Sequence, residues 1–192
     1  MKTSIVIAVV IALSAAAAWT IWRGRVGSPR ANKATSQADA GKRLRLMALT
    51  TPADKCGFRS DADYPKVYGV IADWTHGDLT ASILAMRGGT ASLYTTSSFG
   101  IIGGEGHAKV RRAADACVKV AGQYYDQGIP AADFAYPKEG KVYFYLLCYE
   151  GVRLCVGEEA ALKEGTDPML PLFSAAQDVL TELRLASEGV LK

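Results

Sequence analysis

The stretch KVYGVIADWTHGDLTASILAMRGGTASLYTTS, residues 66–97, decides the fold. Apolar residues alternate there with small and polar ones, the period of a strand with two unlike faces. Lys66 to Trp74 reads as one strand, with Tyr68, Val70, Ala72 and Trp74 on a shared face. His76-Gly77-Asp78 interrupts it with turn residues, and Leu79 to Arg87 returns. Gly88-Gly89 is a tight hairpin signal, and Thr90 to Ser97 follows as a third strand. Strands joined by such short turns make an antiparallel meander.

Downstream the period changes to that of a helix. After the glycine-rich segment FGIIGGEG (99–106), residues 107–125 place Val110, Ala113, Ala114, Cys117, Ala121, Tyr124 and Tyr125 on one helical face. Lys141 to Tyr149 is apolar on both faces, which suits a central strand, and Val152 to Val156 pairs with it. Asp167-Pro168 is a cap followed by a first-turn proline, and opens a last helix with Met169, Leu172, Phe173, Ala176, Val179, Leu180 and Leu183 inward. The order β-β-β-α-β-β-α predicts an α+β domain over 51–192, one antiparallel sheet with helices on one face. Roadblock, longin and profilin-like domains share this layout, an analogy that carries no function.

Upstream, Ile5 to Trp22 is an unbroken apolar run, and Arg23 and Arg25 end it. About 18 to 20 apolar residues suffice to span a bilayer as a helix. Trp19 and Trp22 sit where indole rings favour the headgroup boundary. Residues 1–23 therefore read as a retained anchor, with residues 4–22 in the membrane. The alternative is a cleaved secretory signal with Ala15 to Ala18 as its small-residue site. Residues 24–50, rich in Ser, Ala, Gly and basic side chains, read as a flexible basic tether. Up to Thr51 there are eight Lys or Arg against one acid, Asp39, whereas from Pro52 onward there are 14 basic and 18 acidic residues. Positive charge just after the span favours a bacterial inner-membrane protein of single pass with a cytoplasmic domain. A periplasmic or secreted domain follows if the segment is cleaved.

Cys56, Cys117, Cys148 and Cys155 are even in number but lack any Cys-x-x-Cys spacing. A turn at Gly151-Val152 would set Cys148 against Cys155, and one at Glu150-Gly151 would leave them diagonal. The cytoplasmic reading favours reduced thiols. With two histidines in the chain, no metal or cofactor is indicated.

The candidate ligand site is the glycine-rich loop at the start of the first helix. Its amides suit a phosphate or carboxylate, which makes Gly103, Gly104, Gly106, His107 and Lys109 the candidate residues. The spacing matches neither a dinucleotide fingerprint nor a P-loop, and Glu105 repels an anion, so turn geometry and close packing are the favoured role of these glycines. His76 and His107 form an acid–base or metal cluster with Asp73, Asp78 and Glu105 only if two loops meet. The serines and threonines of 95–98 read as a polar strand end, since no nucleophile elbow is present. Asp115 is placed to pair with Arg111 at i,i+4. Tyr143, Tyr145 and Tyr149 alternate along one strand face and make a partner-binding patch if nothing covers them. The net negative charge of the folded part disfavours nucleic acid.

The pattern of Asp73-Trp74, then TASLYTTSSFGIIGGEGH, followed by a helix and KVYFYLLCYEGV, resembles a small bacterial α+β domain over most of 67–183. The resemblance implies a bacterial origin and carries no activity or residue role. Two functions are therefore expected to compete: a membrane-tethered, non-enzymatic protein-binding or scaffold module, and a small anionic-ligand sensor or enzyme using loop 100–107.

Overall fold

In the computed structural model, which describes residues 31–97 and 99–189, the alternating stretch forms the predicted meander. β1 (Val67–His76) pairs with β2 (Leu79–Met86), and β2 with β3 (Ala91–Thr95), each antiparallel. A short β4 (Gly100–Ile101) extends this edge. On the other side of β1 lies β6 (Lys141–Cys148), followed by β7 (Gly151–Glu158) and the two-residue β5 (Ile129–Pro130). The result is one seven-stranded antiparallel sheet in the order β4-β3-β2-β1-β6-β7-β5. β6 is an interior strand between β1 and β7, as its two-sided apolar sequence requires.

Two long helices cover one face. α2 (Ala108–Gly122) buries Val110, Ala114, Cys117, Val118 and Ala121. A short α3 (Glu159–Glu164) leads to α4 (Leu170–Gly189), which buries Leu172, Phe173, Ala176, Val179 and Leu183 against α2 and the sheet. Asp167 fixes the start of α4: its carboxylate accepts the amides of Met169 (2.7 Å) and Glu158 (2.7 Å).

The expectation of helices on one face alone is corrected by α1 (Ala31–Thr50), whose C-terminal half lies against the opposite face. Over residues 31–50 the expected tether is helix. Gly41, Leu44, Arg45, Ala48 and Leu49 recur at helical spacing and turn toward the sheet, while Lys42, Arg43, Leu46 and Met47 face solvent. Its inward stripe contains a glycine and an arginine, so the helix carries little apolar asymmetry to read. Among the described residues no helix is long and apolar enough to cross a membrane, and the run 5–22 lies outside them.

A second correction concerns β1. Its register with β6 shifts between Val67 and Gly69, and this bulge turns Tyr68 to the α1 face beside Ile71 and Asp73. Val70, Ala72 and Trp74 keep the predicted shared face under α2 and α4.

Candidate functional site

The glycine-rich loop is occupied by packing. Gly103 takes the left-handed conformation (φ 83°), and Gly104 starts a 3-10 turn over Gly104–Gly106. A Cβ on Gly104 would lie 2.5 Å from a Leu183 methyl and 2.8 Å from Val110, so a glycine is needed for the loop to close on the helices. Gly103 and Gly106 are exposed, and His107 and Lys109 line a shallow groove with Glu182, Leu185 and Ala186. The structure thus brings His107 and Lys109 to one surface but not around the glycine amides. Arg111 donates to the carbonyl of Glu105 (2.6 Å) rather than pairing with Asp115. Asp115 accepts the Gly88 amide (2.9 Å) and the Tyr64 hydroxyl (3.1 Å), and so pins the β2–β3 hairpin to α2.

The two histidines are kept apart. His76 is level with Leu79 at one end of β1, whereas Arg111, one turn into the helix after His107, packs on Gly89 at the other. Gly69 to His76 alone spans seven residues of strand, roughly 23 Å. Among the described residues no three His, Cys, Asp or Glu side chains are grouped to hold a metal.

The cysteines are free thiols. β6 and β7 turn at Tyr149-Glu150, so Cys148 is level with Gly151, and Cys155 with Phe144. Four residues of ladder separate the two, too far for a bridge. Burial pushes the Cys117 and Cys148 thiols up to about 12 and Cys155 to about 11.

The three tyrosines share a face, as expected, but not a fate. Tyr145 is fully buried, with its hydroxyl donating to the carbonyl of Ala135 (2.6 Å) and its ring against Phe134. Tyr149 is half-buried, bonded to the Arg59 carbonyl (3.0 Å) and to Arg87 (2.9 Å). As an exposed patch, then, the pair is corrected: residues 134–135 close over Tyr145, and Arg59, Tyr68 and Arg87 close over Tyr149. Only Tyr143 borders open surface. Val156 stands directly opposite it and is 44% exposed; one pair along, Ile129 stands opposite Leu154 and is 64% exposed. Tyr143, Leu154, Val156 and Ile129 therefore make an apolar strip on the outer strands of the face that α1 covers elsewhere.

Between the covered and open parts lies a group that sequence reasoning missed. Asp73, fully buried on β1, accepts the Arg45 guanidinium through both oxygens, with Nε at 3.1 and 3.0 Å and Nη2 on the same carboxylate. Nη1 of Arg45 also donates to the Phe134 carbonyl (2.9 Å), and the guanidinium stacks 4.3 Å from the Tyr136 ring centre. Burial pushes the Asp73 carboxyl up from its ordinary value, and Arg45 opposes that shift. One arginine thereby ties together α1, β1 and the 131–136 segment. The signal available in the sequence was the spacing of Arg45 with Gly41, Leu44, Ala48 and Leu49.

No protein-family model matches the chain, and no curated protein or solved structure is significantly similar to it.

Proposed function

We propose that this chain is a membrane-tethered, non-enzymatic protein-binding module, held at a bacterial membrane by residues 4–22. The observation that carries the reading is the apolar strip of Tyr143, Leu154, Val156 and Ile129 on the sheet face beside α1. Two exposed branched side chains, Val156 and Ile129, beside the half-buried Tyr143 and Leu154 on rigid strands suit protein contact. The groups with chemical potential support the same view: the Asp73 carboxylate is saturated by Arg45, and Cys117, Cys148 and Cys155 are buried with raised thiols. The basic residues that follow the apolar run favour a cytoplasmic domain under the positive-inside rule.

The test uses the full chain in its native membranes. Val156→Glu with Ile129→Glu puts two charges on the strip without touching the core. Chemical crosslinking should lose its protein adducts in the double variant, while thermal unfolding stays within a few degrees of the parent. An unchanged adduct pattern would remove the strip from consideration.

A further inference from the structure

The end of the sheet remote from that strip carries two more exposed apolar side chains. Phe99 is 52% and Ile102 67% exposed, and they flank β4 at the opposite edge. The path of the chain says what lies against them. α1 contacts the sheet at two depths: Arg45 reaches Asp73 on β1, and Gly41 touches β3, where a Cβ would come within 2.7 Å of the Thr95 carbonyl. Followed toward its N-terminus, α1 therefore runs from β1 across β3 toward the β4 edge. Ten more helical residues precede Gly41, a rise of roughly 15 Å, whereas β4 is only about 5 Å beyond β3. The chain leaves the domain on the β4 side, and only residues 23–30 separate Ala31 from the apolar run that ends at Trp22.

We infer that the β4 edge rests in the headgroup region of the bilayer that holds residues 4–22, with Phe99 and Ile102 as its apolar contacts. The inference rests on the membrane-tether reading above. Eight linking residues reach about 28 Å at full extension, so the chain start at Ala31 stays within that distance of the membrane surface, and the β4 edge is nearer to Ala31 than the β5–β7 strip is. Charge agrees in part. Lys42 and Arg43 are exposed on α1, and Arg23, Arg25, Arg30 and Lys33 lie in the preceding sequence, against Asp39 and Glu105. Anionic headgroups are the matching surface. The arrangement gives the molecule two ends: an apolar edge for lipid beside the anchor, and an apolar strip for protein at the far edge.

The test places benzoylphenylalanine at position 99, 102 or 129 of the full chain, in vesicles of phosphatidylcholine and phosphatidylglycerol (3:1). After illumination, intact-mass measurement reads the adduct. Phospholipid adducts several-fold more abundant at 99 and 102 than at 129 are expected. Phe99→Ser should remove them at 102 while the chain stays in the carbonate-washed pellet. Equal lipid labelling at all three positions overturns the inference and leaves the tether standing. Adducts to a second copy of the chain at 99 overturn it in favour of a dimer edge. Loss of the unmodified chain from the washed pellet overturns the tether and this inference together.

Discussion

At the residue scale, the Arg45–Asp73 pair decides most. Two buried charges lose hydration that their mutual attraction only partly restores, so removing one partner is far worse than removing both. Arg45→Met should cost about 3–5 kcal/mol by urea unfolding, since it leaves the Asp73 carboxylate without a partner in the core. Arg45→Met combined with Asp73→Leu should recover most of that loss. A double variant as unstable as the single one would show that the pair stabilises beyond its packing. The thiols give a prediction with a defined pH window. Their folded pKa values, about 12 for Cys117 and Cys148 and about 11 for Cys155, lie above the ordinary 9.0. The stability this burial confers is complete below pH 9 and falls as pH rises toward 11 and 12, because only the unfolded chain ionises in that interval. Iodoacetamide at pH 8 should therefore modify half-buried Cys56 first, and the other three only on unfolding. Complete four-site alkylation of the native chain would contradict the buried assignment. Cys117 was legible as a core residue from its place on the α2 stripe, whereas the role of Arg45 was not. A charge inside a helical stripe reads as a surface position until its partner, 28 residues away, is seen.

At the element scale, legibility followed periodicity. β1, β2, β3 and β6 alternate or run apolar over eight or so residues, and each was placed within two residues of its observed bounds. β4 and β5 are two residues each, too short to carry any period, and are defined only by their neighbours. α1 resembles a tether in sequence because its first half mixes small and polar residues without a continuous apolar row, and its one apolar contact row is narrow. The bulge at Val67–Gly69 was equally hidden, since a strand's sequence does not record where its partner slips by one residue. The glycine-rich loop was visible as a motif, and its role follows from volume. Gly104→Val adds a branched side chain where even a Cβ is 2.5 Å from Leu183. Overpacking of this kind should cost about 1–3 kcal/mol, read as a lower denaturant midpoint with an unchanged slope. Gly106→Ala, where nothing lies within 4 Å, should leave the midpoint within about 0.5 kcal/mol. Equal losses at the two positions would mean that the loop is held by something other than contact with α2 and α4.

At the scale of the whole molecule, the sheet has two faces closed by different means. One is sealed by α2 and α4 through a continuous apolar core that includes Phe144 and Phe173. The other is sealed by part of α1, by residues from 53–58 and by the 131–136 segment, with an ion pair and the buried Tyr68, Tyr94 and Tyr145 among the apolar contacts. The tyrosine face was legible as a face, but its coverage was not, because the covering elements are a helix that ends 17 positions before β1 begins and a segment without regular structure. A chain beginning at Pro52 would keep every strand and lose α1. It would uncover Leu84 and Tyr94 and leave Asp73 without Arg45, whereas a chain beginning at Ala31 keeps both faces closed. Exposed apolar surface and an unpaired buried carboxylate each destabilise by several kcal/mol, of the order of a small domain's whole stability. The 52–192 chain should therefore bind an apolar dye and lose its cooperative thermal transition, while 31–192 retains one. Matching transitions in the two chains would return residues 31–50 to the role of a tether, and would place the domain's stability in the α2–α4 face alone.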